Sequence, residues 1–459
     1  MKISIAFLTM LLFFLSGLKA QDDSIELKHF PPIDTFRLER YALPDINHRA
    51  LDMFFDFNSR SNQNSFYSFF PQIREIFFVS PTLGLRNYSF KNNIKKQVEC
   101  RDFLEFGYYF NKTEDLEVHK IITNSRFTTI FTIDRSYRYY DHKNRFFEIA
   151  PNSFVNFDIY NDWDISLNID LDPGFFYGWG RIEDVTDVWH TNRILKDLQR
   201  ENLLTRIPDG TELTEISERL SQSRYKRIFD HRIWRKDNLK LMDEVLTEKG
   251  LIKEKSVEYY TTLSDMLDYG VNNRRFANKR LAIGLVPKAS FYILDEDDGI
   301  RDIGISAVAK FDLFKPISMT WQFDLNAAIE FGYSSYKTTW INENRINYTF
   351  IKPILNVGLK KYISSRSYAS TDLNVNIDRK FGDKPYWNSD DTNFGILSTT
   401  KYQYYFSPKT GMSVDLILSY RSDDFGLFPI KFIYFDGNVL NFREGFGHSF
   451  SLTFTHKLF

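Results

Sequence analysis

Between Ile317 and Tyr333 every second residue is apolar or aromatic: Ile317, Met319, Trp321, Phe323, Leu325, Ala327, Ile329, Phe331 and Tyr333. The positions between them, from Ser318 through Gln322, Asp324 and Glu330 to Ser334, are mostly polar. A strand points successive side chains to opposite faces, so this period predicts a strand with one apolar and one wet face. The pattern recurs sharply in Leu51–Phe57, Trp163–Leu171 and Met412–Tyr420, and more weakly at 98–110, 117–133 and 146–159. After residue 270 it predicts eight strands, near 279–294, 301–313, 317–336, 346–361, 367–379, 392–406, 411–421 and 446–458.

Strands of this kind pose a burial problem. A soluble sandwich covers one face of each sheet with another and uses strands of about 5–6 residues. Membrane-spanning barrel strands need roughly 9–11 residues, apolar outward and polar inward. The expectation is therefore a mainly β chain: a transmembrane antiparallel β-barrel of about 16 strands, with 14 as the alternative. The N-terminus fits export. Lys2 is followed by the apolar run Ile3–Leu15, and Ser16, Gly17 and Ala20 precede Gln21, which predicts a signal peptide over residues 1–20.

At the other end Phe446, Phe450, Leu452, Phe454 and Leu458 alternate with Ser449, Ser451, Thr453 and Thr455, and the sequence closes on Phe459. This ending resembles the C-terminal signal of bacterial outer-membrane β-barrel proteins. Phe450, Leu452, Phe454, Leu458 and Phe459 carry the resemblance, with Phe459 one residue out of phase with Leu458. The wealth of Phe and Tyr (45 and 26) and the Ala20–Gln21 junction resemble Bacteroidota-type proteins. The resemblance implies a porin-like, integral outer-membrane protein. It would be surrounded by outer-membrane lipid and read through its last strand by the barrel-assembly machinery.

Residues 183–269 break the pattern. This stretch contains one Phe, Phe229, and by count 15 basic and 18 acidic residues. Its apolar spacing lengthens to three or four in Leu213, Ile216, Leu220, then Leu239, Met242, Leu246, then Tyr260, Leu263, Leu267. Asp209 followed by Glu212 predicts a capping box, and Gly250 and Gly270 predict helix stops. Four helices are expected, near 184–202, 211–222, 224–249 and 256–269. Lipid does not tolerate this charge density. The expected organisation is a signal peptide at 1–20, a periplasmic lead-in at 21–48 and a first half-barrel at 49–182. A helical insertion at 183–270, periplasmic or a lumenal plug, precedes a second half-barrel at 271–459. Strand parity favours the periplasmic side. Sixteen strands require 65–72 and 175–182 as additional strands, and they take Asn111-Lys112-Thr113 and Tyr160-Asn161-Asp162 as short turns.

Charge and chemistry narrow the function only slightly. Lys+Arg total 59 and Asp+Glu 60, which excludes a nucleic-acid binder working by bulk charge. One cysteine, Cys100, excludes an intramolecular disulfide framework. No two histidines stand at a metal-binding helical spacing, and His190 and His231 read as solvated helix residues. No catalytic, metal or cofactor residues are expected, and the chain does not read as an enzyme. The wet strand faces are rich in acids, namely Asp52, Asp56, Glu105, Asp134, Asp158, Asp164, Asp170, Asp312, Asp324, Glu330, Asp372, Asp378 and Asp415, against Arg86, Arg126, Lys288, Lys310 and Lys401. Carboxylates around a pore favour cations, whereas a packed interior would pair them with one another. Three functions stay open. The first is a channel for small solutes narrowed by the helices. The second is a non-transport scaffold docking a periplasmic or surface protein through 183–270. The third, a minor one, is an outer-membrane hydrolase.

Overall fold

The computed structural model describes residues 38, 41–63, 73–115, 120–141, 143–161, 164–224, 231–269, 274–294, 298–338, 345–364, 366–382, 392–407, 410–421 and 445–456. The signal peptide, the 65–72 segment, Gly270, Leu458 and Phe459 lie outside them. The chain is mainly β, one antiparallel sheet of seventeen strands with four helices inserted between the ninth and tenth. In order the strands are β1 (Ile46–Gln63), β2 (Ile73–Asn93), β3 (Lys96–Asp115), β4 (Lys120–Tyr140), β5 (Arg145–Ala150), β6 (Asn152–Tyr160), β7 (Ile165–Leu171), β8 (Gly174–Gly180) and β9 (Glu183–Asp184). After the helices come β10 (Phe276–Leu294), β11 (Asp298–Pro316), β12 (Trp321–Thr338), β13 (Arg345–Tyr362), β14 (Ser367–Gly382), β15 (Thr392–Ser407), β16 (Thr410–Arg421) and β17 (Gly445–His456).

Seventeen strands make fourteen passes. β5 and β6 both pair with β4 in one unbroken register, Tyr140↔Phe146 at one end and Arg126↔Tyr160 at the other. β7, β8 and β9 likewise share one register along β10, from Leu294↔Ser166 through Arg280↔Gly180 to Phe276↔Asp184. Of the three interruptions, those at Pro151 and Asp172-Pro173 lie side by side and the third falls at Arg181-Ile182. Proline has no N–H for a ladder, so it marks a break rather than a new strand. Segment 175–182 therefore continues the pass begun at Ile165, at the lower end of the expected fourteen to sixteen.

Six passes precede the helices and eight follow. β2 and β3, β4 and β5, β11 and β12, β13 and β14, and β15 and β16 are each separated by two to four residues at the end where the helices are inserted. At the opposite end the strand ends are separated by longer gaps at β1–β2, β12–β13, β14–β15 and β16–β17 and by shorter ones at β3–β4, β6–β7 and β10–β11. Three expected boundaries shift. Asn111-Lys112-Thr113 lies inside β3, so it is no turn. Tyr160 is the last residue of β6 and Asn161 follows it at the end away from the helices, and Asp162 lies outside the described residues. Ile317 and Met319 are not strand residues but a turn closed by Ile317 N donating to Trp321 O at 3.0 Å.

The two faces of the sheet are inverted relative to a soluble protein. Leu51, Met53, Phe55, Leu285, Ile305 and Phe331 share one face and are 49–74% exposed. On the other face Thr128, Asp158, Ser166, Ser306, Gln322 and Asp324 are buried. Rings on this buried face lie flat over glycines of the next strand. A Cβ on Gly84, Gly178, Gly284 or Gly332 would collide with Phe54, Phe146, Phe176 or Phe350 respectively. Three of these rings carry a cation above them: Arg86 at 4.4 Å from Phe54, Lys310 at 4.1 Å from Phe176 and Lys352 at 4.9 Å from Phe350. Phe146 and Phe176 also join Tyr140, Ala150, Ala282, Val286 and Val308 in a buried apolar cluster.

The helices are α1 (Thr186–Arg200), α2 (Gly210–Arg224), α3 (His231–Glu248) and α4 (Val257–Tyr269). Their stripes pack on each other through Ile194, Leu195, Leu198, Leu213, Ile216, Leu220, Met242, Leu246, Leu263 and Leu267, all at most 3% exposed. Tyr259 is buried in α4, and the expected Tyr260 is 37% exposed. The capping box forms as expected. Asp209 Oδ1 accepts from Thr211 N and Glu212 N at 2.9 and 2.8 Å, and Glu212 accepts from Asp209 N at 3.1 Å. Arg206 clasps the same carboxylate and, with the capping N–H, holds its pKa down to about 2. Gly250 stops α3 at φ +64°, a conformation that favours glycine.

A double-mutant cycle tests the glycine–ring packing. Gly332→Ala places a methyl against Phe350 and 2.9 Å from Ser306 Cβ, and overpacking of this kind costs about 1–3 kcal/mol. Phe350→Ala should abolish most of that cost, measured as a coupling energy in denaturant unfolding. Additive effects would show that ring and glycine do not depend on each other.

Candidate functional site

The insertion leaves and rejoins the sheet at adjacent points. Glu183 and Asp184 pair with Ala277 and Phe276, Val185 N donates to Arg275 O at 2.9 Å, and Arg275 N donates to Thr186 Oγ1 at 2.8 Å. The helices thus hang from one joint in the wall, yet they also reach distant turns. The cause is local. Ser318 and Met319 sit in a turn and not in a ladder, so their carbonyls are free to accept bonds from the insertion.

Arg275 uses them. Its guanidinium donates to Met319 O at 2.8 Å, Trp321 O at 2.7 Å and Ser318 O. Its plane lies over Tyr362 (5.1 Å) and Trp189 (5.6 Å), whose rings are 4.8 Å apart. Trp189 Nε1 adds a bond to Met319 O at 2.8 Å. All three side chains are buried. Desolvation lowers the Arg275 pKa to about 10, so it stays charged at neutral pH. Tyr362 stands at the end of β13 on the charged, inward-pointing face, two positions after Lys360. Trp189 on α1 is therefore packed at the end of that face. Arg366 to Asp265 (2.7 Å) holds α4 to the next turn, and Tyr41 to Ser221 (3.3 Å) holds α2 to the segment before β1. Burial pushes the Tyr41 hydroxyl up and the Arg193 guanidinium down.

The acids singled out from sequence fall into distinct settings. Asp312 is paired with Arg280 (2.7 Å) and Asn326 (2.9 Å), Asp324 with Lys360 (2.7 Å) and Gln322 (2.7 Å), and Asp378 with Lys352 (3.1 Å). Glu330 is paired with Lys288, Asp415 with Lys401 at 3.9 Å, Asp158 with Arg126 at 3.6 Å, and Asp170 accepts from Ser290. Asp372 lies opposite Gly358 on β13, on the same face. Glu105 and Asp134 occupy β3 and β4, facing Ile130 and Arg101 respectively across the ladder. Asp164 departs from the expectation: it is exposed in the connection after β6, where its carbonyl accepts from Tyr160 N. The side chains of Asp52 and Asp56 lie outside the described set. Phe450, Leu452 and Phe454 are in β17, opposite Leu416, Val414 and Met412 of β16.

Sequence reading found Arg126, Lys288 and Lys401 among the basic partners and missed the others. Arg138, which pairs with Glu148 at 2.9 Å, Arg280, Lys352 and Lys360 all point to the charged face. Their even numbers in strands of weaker alternation were the available signal. Arg275 and Trp189 had none, because the latch depends on a turn that reads as strand. His190 is fully buried beside Trp189, not solvated, since α1 is covered on the side facing the sheet. Among the described residues, no group of three or more His, Cys, Asp or Glu is placed to hold a metal ion.

No protein-family model matches the chain, and no curated protein matches it significantly. Among the described residues no helix is long and apolar enough to cross a membrane.

Replacing Arg275 by Met keeps the stem and removes the donors. Charged hydrogen bonds are worth about 1.5–3 kcal/mol each, so α1 should open far more often. Amide hydrogen exchange in 186–200 should rise at least tenfold while exchange in β11–β13 stays unchanged. Equal protection in the variant would remove Arg275 as the latch.

Proposed function

We propose that the chain is an outer-membrane β-barrel of porin-like character, a conduit for small solutes whose short-turn mouth is narrowed by the helices. One observation carries this reading: the exposed sheet face is apolar along strand after strand, and the buried face is charged and hydrogen-bonded. Water penalises the first arrangement and an apolar core penalises the second, but lipid outside and a polar interior suit both. The even number of passes supports it, as does the placing of all the longest gaps between strands at the end away from the helices. The reading requires β17 to pair with β1, since β16 and β2 are their described partners. It also places the helices on the periplasmic side.

The paired carboxylates present little net field. Lys288, Lys352, Lys360, Lys401 and Arg280 stand beside them, so the cation preference expected from a ring of bare acids becomes small. The helices then restrict passage by bulk and not by charge.

Planar-bilayer recording tests the reading. A chain with 186–273 replaced by a short linker is suited to it, because Asp184 and Phe276 are ladder partners. The shortened protein should conduct severalfold more than the full chain, with weak ion selectivity. Equal conductance would remove the restricting role and leave the scaffold reading. That second reading has its own observation: Ile233, Val257 and Tyr260 are 52%, 75% and 37% exposed on α3 and α4, apolar contacts for a docked protein.

A further inference from the structure

The four strands β1–β4 carry a cavity of about 480 Å³ near the short-turn end. Asn47, Arg49, Asn87, Lys91, Lys96, Cys100, Asp102, Arg135 and Tyr137 line it. Ladder partners share a face, and here Asn87 pairs with Leu51 and Leu85 with Met53. The cavity therefore opens on the apolar, exposed side of the sheet, not on the charged interior. Toward the middle of the same strands lie Leu51, Met53, Phe55, Leu85, Phe106 and Phe131, all exposed.

Its charge is unbalanced. Asp102 is held by Arg135 through two bonds of 2.8 and 2.9 Å and receives a third from Asn87 at 2.9 Å, which accounts for the one acid. Arg49, Lys91 and Lys96 remain, with no carboxylate partner given by the structure among the described residues. Lys96 lies 4.7 Å from the Tyr139 ring. Three cations around a cavity at the margin of an apolar belt match one chemistry, a phosphate attached to acyl chains.

The geometry points to an anionic phospholipid bound here, its headgroup phosphate on Arg49, Lys91 and Lys96 and its chains along the Leu51–Phe55 and Leu85 face. The inference rests on the barrel reading and names one lipid class for its wall. Asn47, Asn87 and Tyr137 supply further hydrogen-bonding groups for the headgroup. The Arg135–Asp102 pair stiffens the floor. A basic residue near an anionic surface contributes a few-fold each, and three together give about a hundredfold preference.

The test uses full-length protein inserted into vesicles and then released into detergent for native mass spectrometry. Vesicles are phosphatidylglycerol–phosphatidylcholine mixtures, with inorganic phosphate offered separately. The wild type should retain phosphatidylglycerol over phosphatidylcholine by tenfold or more. The triple variant Arg49→Gln, Lys91→Gln, Lys96→Gln should lose that preference, and Lys91→Arg with Lys96→Arg should keep it. Cys100, the sole cysteine, reports in place: its maleimide reaction should slow in phosphatidylglycerol vesicles and not in phosphatidylcholine. Retention of inorganic phosphate without lipid would overturn the lipid assignment. Insertion with equal retention of both lipids would overturn this site alone. Failure to insert into any vesicle would overturn the barrel reading and the site with it.

Discussion

Charged side chains buried on one face of a sheet, with apolar ones exposed on the other, constrain everything else in this protein. A buried ion without a partner costs several kcal/mol, so each interior acid described with a contact has a base or donor beside it. Asp324 has Lys360 and Gln322, and Asp312 has Arg280 and Asn326. The rings that share this face solve the space problem by lying flat over glycines. Lysines above Phe176 and Phe350 then turn the ring faces into cation sites, and Arg86 does the same over Phe54. At Gly332 the order runs glycine, Phe350, Lys352 and Asp378, so bulky and charged residues share one side of the wall.

The helical insertion follows the same logic at the rim. Its four stripes bury one another, and besides the Asp265–Arg366 pair of α4 it is α1 and the connecting segments that meet the sheet. They meet it through acceptors that the ladder does not use, the carbonyls of Ser318 and Met319. Arg275 satisfies both of these and the Trp321 carbonyl at once, and Trp189 shares that of Met319. The fixed placement of the helices over the short-turn end thus rests on a few buried groups. Such a joint ties the helices to the end of the sheet, and in the proposed barrel this is where a restriction of the mouth would sit.

Much of the fold was legible in the sequence because period two and period three-to-four are hard to confuse over long runs. The sharp alternation of Trp321–Tyr333, the Phe-poor stretch 183–269 and the Asp209–Glu212 box all correspond to described elements. Misreadings cluster where alternation continues through a turn. Ile317 and Met319 keep the strand period but form the connection that receives Arg275. Asn111-Lys112-Thr113 has turn composition yet stays inside β3, because twenty-residue strands carry polar ends beyond the apolar belt. The interior acids were found by parity. Their partners Arg126, Lys288 and Lys401 were found the same way, but Lys352 and Lys360 were not, because they lie in a strand whose alternation is blurred by Pro353. The latch was invisible, since it joins residues some 45 to 130 positions apart in sequence.

Spin labels placed on the two faces of one β-hairpin test the central claim most directly. In a Cys100→Ser background, cysteines at Leu285 and Ser306 put nitroxides on the apolar and the charged face of β10 and β11 respectively. In reconstituted vesicles, the Leu285 label should relax strongly with oxygen and hardly at all with a water-soluble nickel complex. The Ser306 label should show little response to oxygen. Equal access of the nickel complex to Leu285 would mean that this face meets water, and the account of an inside-out wall would fail.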